Sequence, residues 1–134
     1  MANVNLIMND WVVSHTSVPI DLGKRGENNA MSINIVIGEK LNKNEKYYLD
    51  IMDRVEGETV EPRTQEMTLN EYDHDGVITY VLEMQPQAEW LGNNGVKFVQ
   101  VRCEYTENEK DIIIKSNVFK GVVDLGLFMP SNRI

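Results

Sequence analysis

Asp73 and Asp75 stand before Gly76 at the spacing of two ligands in a calcium-binding loop. Such a loop closes on a bidentate Glu, and that position holds Leu82, so the segment reads as a solvated hairpin turn. His15 and His74 have no His or Cys at ligand spacing, which leaves zinc without a ligand set. Glu56, Glu58, Glu61, Glu66 and Glu71 crowd one polar stretch. Acid catalysis needs a carboxyl pushed up by an apolar pocket or a close like charge, and a hydrated stretch supplies neither. Cys103 lies on the apolar side of an alternating segment with no cationic cluster nearby, so it is expected as a small buried hydrophobe. A single cysteine also excludes an internal disulfide. There is no Gly-x-Ser-x-Gly elbow, glycine-rich phosphate loop or Cys–His arrangement. The expectation is a protein with no enzymatic activity, no cofactor and no metal.

Aromatic rings offer a different chemistry, stacking on sugar faces. Trp11 and Trp90, together with Tyr47, Tyr48, Tyr72 and Tyr80, would supply the contacts of a carbohydrate-binding module directed at a cell-wall glycan. No stripe of three rings falls on one solvent face. The two tryptophans therefore read as plugs at the ends of a core, with glycan contact through Trp11 and Trp90 as the competing reading.

Charge narrows the partners. Thirteen basic residues against 21 acidic ones give a formal net charge of −8, which repels phosphate backbones, so nucleic acid is not an expected partner. The first residues lack a basic segment followed by an apolar one, and no apolar stretch approaches the ~20 residues that span a bilayer. Synthesis in a cytoplasm, with no membrane partner, is the expectation.

The elements that would carry these residues are strands. Met31, Ile33, Ile35 and Ile37 alternate with polar residues, as do Tyr47, Leu49 and Ile51, and later Val99, Val101, Cys103 and Tyr105. This period of two marks half-buried strands. Asp73-His-Asp-Gly76 predicts a tight hairpin into Val77–Met84, with Ile78, Tyr80 and Leu82 facing inward. Val4–Val13 predicts a short hairpin turning at Asn9-Asp10 or a bent edge strand, and Pro19 places Ser17–Leu22 at a sheet edge. Asp53–Thr64 reads as a loop with a short strand near Val60, followed by another near Met67–Leu69. One helical turn is expected over Pro86–Leu91. Ile112–Val123 reads as one continuous final strand, apolar on both faces at Ile112-Ile-Ile114. Such a strand needs a cover beyond its own domain. About eight strands with frequent turns predict a single antiparallel β-sandwich over residues 1–134, with a short interaction tail at 125–134.

Two segments carry a family resemblance. Ser17-Val-Pro-Ile-Asp-Leu-Gly-Lys-Arg-Gly-Glu-Asn-Asn-Ala-Met-Ser-Ile33 resembles the opening of small structural domains from phages and prophages of Gram-positive bacteria. Glu104-Tyr105 followed by Lys115-Ser116-x-x-Phe119-x-x-x-Val123 resembles their last hairpin. The chain is thereby similar to the N-terminal, immunoglobulin-like domain of phage baseplate upper proteins. The resemblance implies a virion structural protein of the tail or baseplate, made in the host cytoplasm and assembled with other virion proteins, as a homo-oligomer or in repeated copies. A capsid decoration or head-fibre protein is the nearest alternative. Within this reading, Ile20, Leu22, Ser116 and Phe119 hold the architecture. Phe119 anchors the final hairpin and Ser116 satisfies a backbone group. Lys24 and Arg25 in the Gly23–Asn29 loop, and the apolar triplet Leu127, Phe128 and Met129, are the expected contacts with neighbours.

Overall fold

The computed structural model describes residues 4–9, 12–13, 20–23, 32–38, 40–53, 62–93 and 95–123. Ten strands run in chain order as β1 (Val4–Asn9), β2 (Val12–Val13), β3 (Ile20–Gly23), β4 (Ile33–Ile37), β5 (Lys46–Met52), β6 (Arg63–His74), β7 (Val77–Met84), β8 (Gly95–Glu107), β9 (Lys110–Lys115) and β10 (Phe119–Val123). One helical turn, α1 (Ala88–Leu91), lies between β7 and β8.

The pairing order is β2-β1-β4-β7-β6-β5-β8-β10-β3, with β9 also on β8. Strand β6 turns the corner between two sheets. Its first part, Arg63 to Met67, pairs with Ile51 to Tyr47 of β5. Its second part, Thr68 to His74, pairs with Glu83 to Val77 of β7. The two sheets share one core. Ile33, Ile35, Ile37, Leu82 and Met84 from one sheet cluster with Leu22, Leu49, Ile51, Val99, Val101, Phe119 and Val123 from the other. The fold is an all-β sandwich, and its alternating strands bury every second residue as the sequence predicts.

Four details differ from expectation. The sheet is mixed, because β1 runs parallel to β4 and β3 runs parallel to β10. Strand β6 has 12 residues where only Met67–Leu69 and a segment near Val60 are predicted. Along it only Met67 is fully buried, so hydrogen bonding to two neighbours makes the strand and leaves little apolar signal. The predicted segment near Val60 lies outside the described residues. The run Ile112–Val123 breaks at Ser116–Val118 into β9 and β10, both on the same edge of β8. Finally, Ile78 is 51% exposed, since β7 outruns β4, which pairs only with Tyr80 to Met84.

Ser116 makes the break possible. Its N–H donates to the Val101 carbonyl at 2.9 Å, and its Oγ accepts the Val101 N–H at 2.9 Å. The hydroxyl takes the place of the carbonyl that an unbroken strand would offer, so β8 keeps its bonds in a buried setting. Phe119 then enters the core. Both residues act as the sequence reading expects. Leu22 is also fully buried, while the side chain of Ile20 lies outside the described set.

Candidate interaction surface

The buried polar groups show first what the domain keeps for itself. Asp50 lies on the outer face of β5, yet it is buried. Its carboxylate accepts Arg102 Nε at 2.9 Å, Arg102 Nη2 at 3.1 Å and Thr64 Oγ1 at 2.6 Å. Arg102 also pairs with Glu104 and stacks over the Tyr48 ring, 4.6 Å from its centroid. Near the sheet's end, buried Lys97 reaches Asp53 at 2.6 Å. Arg63 contacts the same carboxylate and donates to the Trp90 carbonyl at 2.9 Å. The Lys97 hydrogen bond, then the Arg63 bond, hold Asp53 below the usual carboxylate range.

Glu45 organises the turn before β5. Asn42 and Asn44 both take positive φ, a conformation Asn tolerates. Their loop folds around the Glu45 carboxylate, which accepts Leu41 N at 2.7 Å, Lys43 N at 2.8 Å and Tyr47 Oη at 2.7 Å. Burial pushes this carboxyl up. The backbone amides of Glu45 and Lys43, the Tyr47 hydroxyl and the Leu41 amide outweigh burial and hold it at about 2. A folded-state value depressed from 4.5 contributes stability above about pH 4.5, and that contribution is lost as pH falls toward 2. After discounting for partial exposure, Glu45→Gln should cost about 2 kcal/mol at pH 7. Urea melts across pH should show the gap to wild type closing between pH 4.5 and 2.

Burial, then the nearby Glu45 charge, pushes the Cys103 thiol up to about 12, so it stays protonated inside the core. Among the described residues no three His, Cys, Asp or Glu side chains gather as metal ligands would. Asp75 and Gly76, with φ of 53° and 84°, form the two-residue turn of the β6–β7 hairpin. Asp73 Oδ1 accepts the Gly76 N–H at 3.0 Å, a structural use of that carboxylate. His74 and Asp75 are both exposed at the tip.

Trp90 is 4% exposed, and its Nε1 donates to the Leu49 carbonyl at 3.1 Å. It plugs the core, and its ring presents no face to a sugar, which removes it as a glycan contact. Trp11, Lys24, Arg25, Leu127, Phe128 and Met129 lie outside the described residues.

What the described surface does offer is apolar and exposed. The β6–β7 hairpin projects beyond the body with Tyr72, Val77 and Ile78 in solvent, and every residue from 71 to 78 is exposed. Leu82, Tyr80 and Ile78 follow one face outward, from full burial to open solvent. Replacing Ile78 by Ser should therefore shift stability by less than about 0.5 kcal/mol. Leu82→Ala, on the same face, should cost about 3 kcal/mol in the same denaturation assay. Sequence periodicity points Ile78 inward because it cannot tell that the neighbouring strand stops short. Ile113 on β9 is another large apolar side chain in solvent, and it lines a cleft of about 570 Å³ whose other walls are mostly polar, Lys46, Tyr48, Glu104 and Asp111 among them.

No protein-family model and no curated protein sequence matches this chain. Among solved structures it is similar to the N-terminal domain of phage TP901-1 ORF48, at 16% identity and a TM-score of 0.51. The match covers 92% of this chain and 98% of that one. The chain thus has the fold of the N-terminal domain of a phage protein, in agreement with the resemblance carried by its two end segments.

Proposed function

We propose that this chain is a non-enzymatic structural component of a bacteriophage virion, a tail or baseplate part or adaptor that works through protein–protein assembly. The observation that carries the reading is the fold shared with a phage N-terminal domain across nearly the whole length of both chains. The surface supports it too. A domain with a complete core still exposes Tyr72, Val77, Ile78, Val96, Ile113 and Val118, and large apolar side chains in solvent suit contacts with other subunits. Tail or baseplate is preferred to capsid decoration because the Ile20-Asp-Leu-Gly23 and Lys115-Ser-x-x-Phe119 segments resemble baseplate upper proteins. Burial of Trp90 weakens the glycan-binding alternative.

The test is antibody labelling of purified particles of the phage that encodes the chain. Label at the tail end is expected. Label over the head would move the protein to capsid decoration, and particles free of the chain would overturn a virion role altogether.

A further inference from the structure

We infer that β9 is a self-pairing edge, through which two copies of this chain join their sheets antiparallel about Ile113. Among the described residues, β9 pairs only with β8, so its other edge is open. Soluble proteins normally blunt an open strand edge with Pro, bulges, brevity or like charges. Here β9 has no Pro and no bulge, and its charges, Lys110, Asp111 and Lys115, are of both signs and bracket the apolar run Ile112-Ile-Ile114.

The hairpin geometry says which backbone groups face out. Asn108 and Glu109, at φ of 52° and 62°, make a two-residue turn closed by the pair Glu107 and Lys110. That closing pair is mutually hydrogen-bonded, and bonded pairs then alternate along the ladder. The reciprocal bonds between Val101 and Ser116 fall on the same alternation. Lys110, Ile112 and Ile114 therefore bond to β8. Asp111, Ile113 and Lys115 turn their N–H and C=O groups to the open edge.

Their side chains suit a second copy in one register. With Ile113 opposite Ile113 of the second copy, Asp111 falls opposite Lys115 and Lys115 opposite Asp111. Each such pair would exchange two backbone hydrogen bonds. Ile113 is 55% exposed, and the contact would cover it. On the inner face, half-buried Ile112 would meet Ile114 of the second copy. Lys115 also gains an opposite charge, since its neighbour across the ladder on β8 is Arg102. Asp111 keeps the hydrogen bond it accepts from Thr106 Oγ1 at 3.0 Å. A slip of two residues would set Lys115 against Ile113 and lose both ion pairs. The contact is two-fold and isologous, so it closes at a dimer and does not extend into a fibre.

This inference rests on the assembly reading and names one contact within it. The test is sedimentation of the whole chain and of two charge variants. Wild type is expected to dimerise with concentration. Asp111→Lys sets Lys against Lys twice, Lys115→Asp sets Asp against Asp twice, and each alone should dimerise about tenfold more weakly or less. An equimolar mixture of the two variants restores both ion pairs and should recover dimer at the wild-type level. Ile113→Cys should in addition form a cross-linked dimer under oxidation, because paired Cα atoms about 5.5 Å apart lie within disulfide reach. A wild type that sediments as monomer at every concentration, or a mixture no more dimeric than its parts, would overturn the inference. Particle labelling would be untouched by that failure, so the two readings fall separately.

Discussion

Asp50→Ala should destabilise the domain by about 3 kcal/mol in urea unfolding, although Asp50 sits on the side of β5 that alternation assigns to solvent. The carboxylate is buried and accepts three side-chain hydrogen bonds, two from the Arg102 fork and one from Thr64. Removing it takes both acceptors from an Arg102 guanidinium that is largely shielded from water, whereas the exposed Thr64 hydroxyl can turn to solvent. Arg102 retains Glu104 and the Tyr48 ring, which keeps the cost near the lower end for a broken buried pair. Arg102→Lys should cost about half as much, because an ammonium cannot span both carboxylate oxygens or lie flat on the ring. The double variant Asp50→Leu with Arg102→Met should recover most of the loss, as apolar replacements of buried ion pairs often do. Stability within about 0.5 kcal/mol of wild type for Asp50→Ala would show that the network contributes geometry without energy.

That network was invisible in the sequence. Asp50, Thr64 and Arg102 are far apart along the chain and sit on three strands, and no local pattern announces their register. The legible parts were those whose physics is local. Ile33, Ile35 and Ile37 alternate because one face of β4 is buried, and that is written into five residues. Asp75-Gly76 marks its turn because positive φ there favours those residue types. Ser116 came from the Lys115-Ser-x-x-Phe119 resemblance and not from a local pattern, and its bond to Val101 gives the physical reason for a serine there. Strand β6 failed the same test, since two flanking strands and not an apolar face define it. The surface was harder still. Ile113 appeared as an apolar residue needing cover, but its open edge follows from the alternation of hydrogen bonds along β8 and β9. Whether Ile78 is core or solvent depends on where β4 ends.

Gly121→Val should cost about 3 kcal/mol, and the reason lies in the Ile20-Asp-Leu-Gly23 segment at the other end of the chain. Strand β3 runs parallel to β10, with Gly121 opposite Ile20, Val122 opposite Asp21 and Val123 opposite Gly23. The register skips Leu22, a bulge that leaves this residue unpaired along the ladder. Leu22 is fully buried and leans across Gly121. A Cβ at 121 would lie 2.6 Å from Leu22 Cδ1 and 2.8 Å from its Cγ, closer than carbon atoms approach. The conformation of Gly121 is not what demands glycine; the space is. Leu22 is packed on its other sides within the core and cannot simply swing away, so the added methyls must push β3 off β10. Leu22→Ala alone should also cost about 3 kcal/mol, through the cavity it leaves. The double variant should be more stable than the sum of the two losses by at least about 1 kcal/mol, because the new side chain fills the space that Leu22 vacates. Additive losses would mean that β3 adapts around Gly121 freely. Favourable coupling would show that the first and last segments of the family resemblance are bound by one contact, a leucine at a bulge over a glycine that must stay bare.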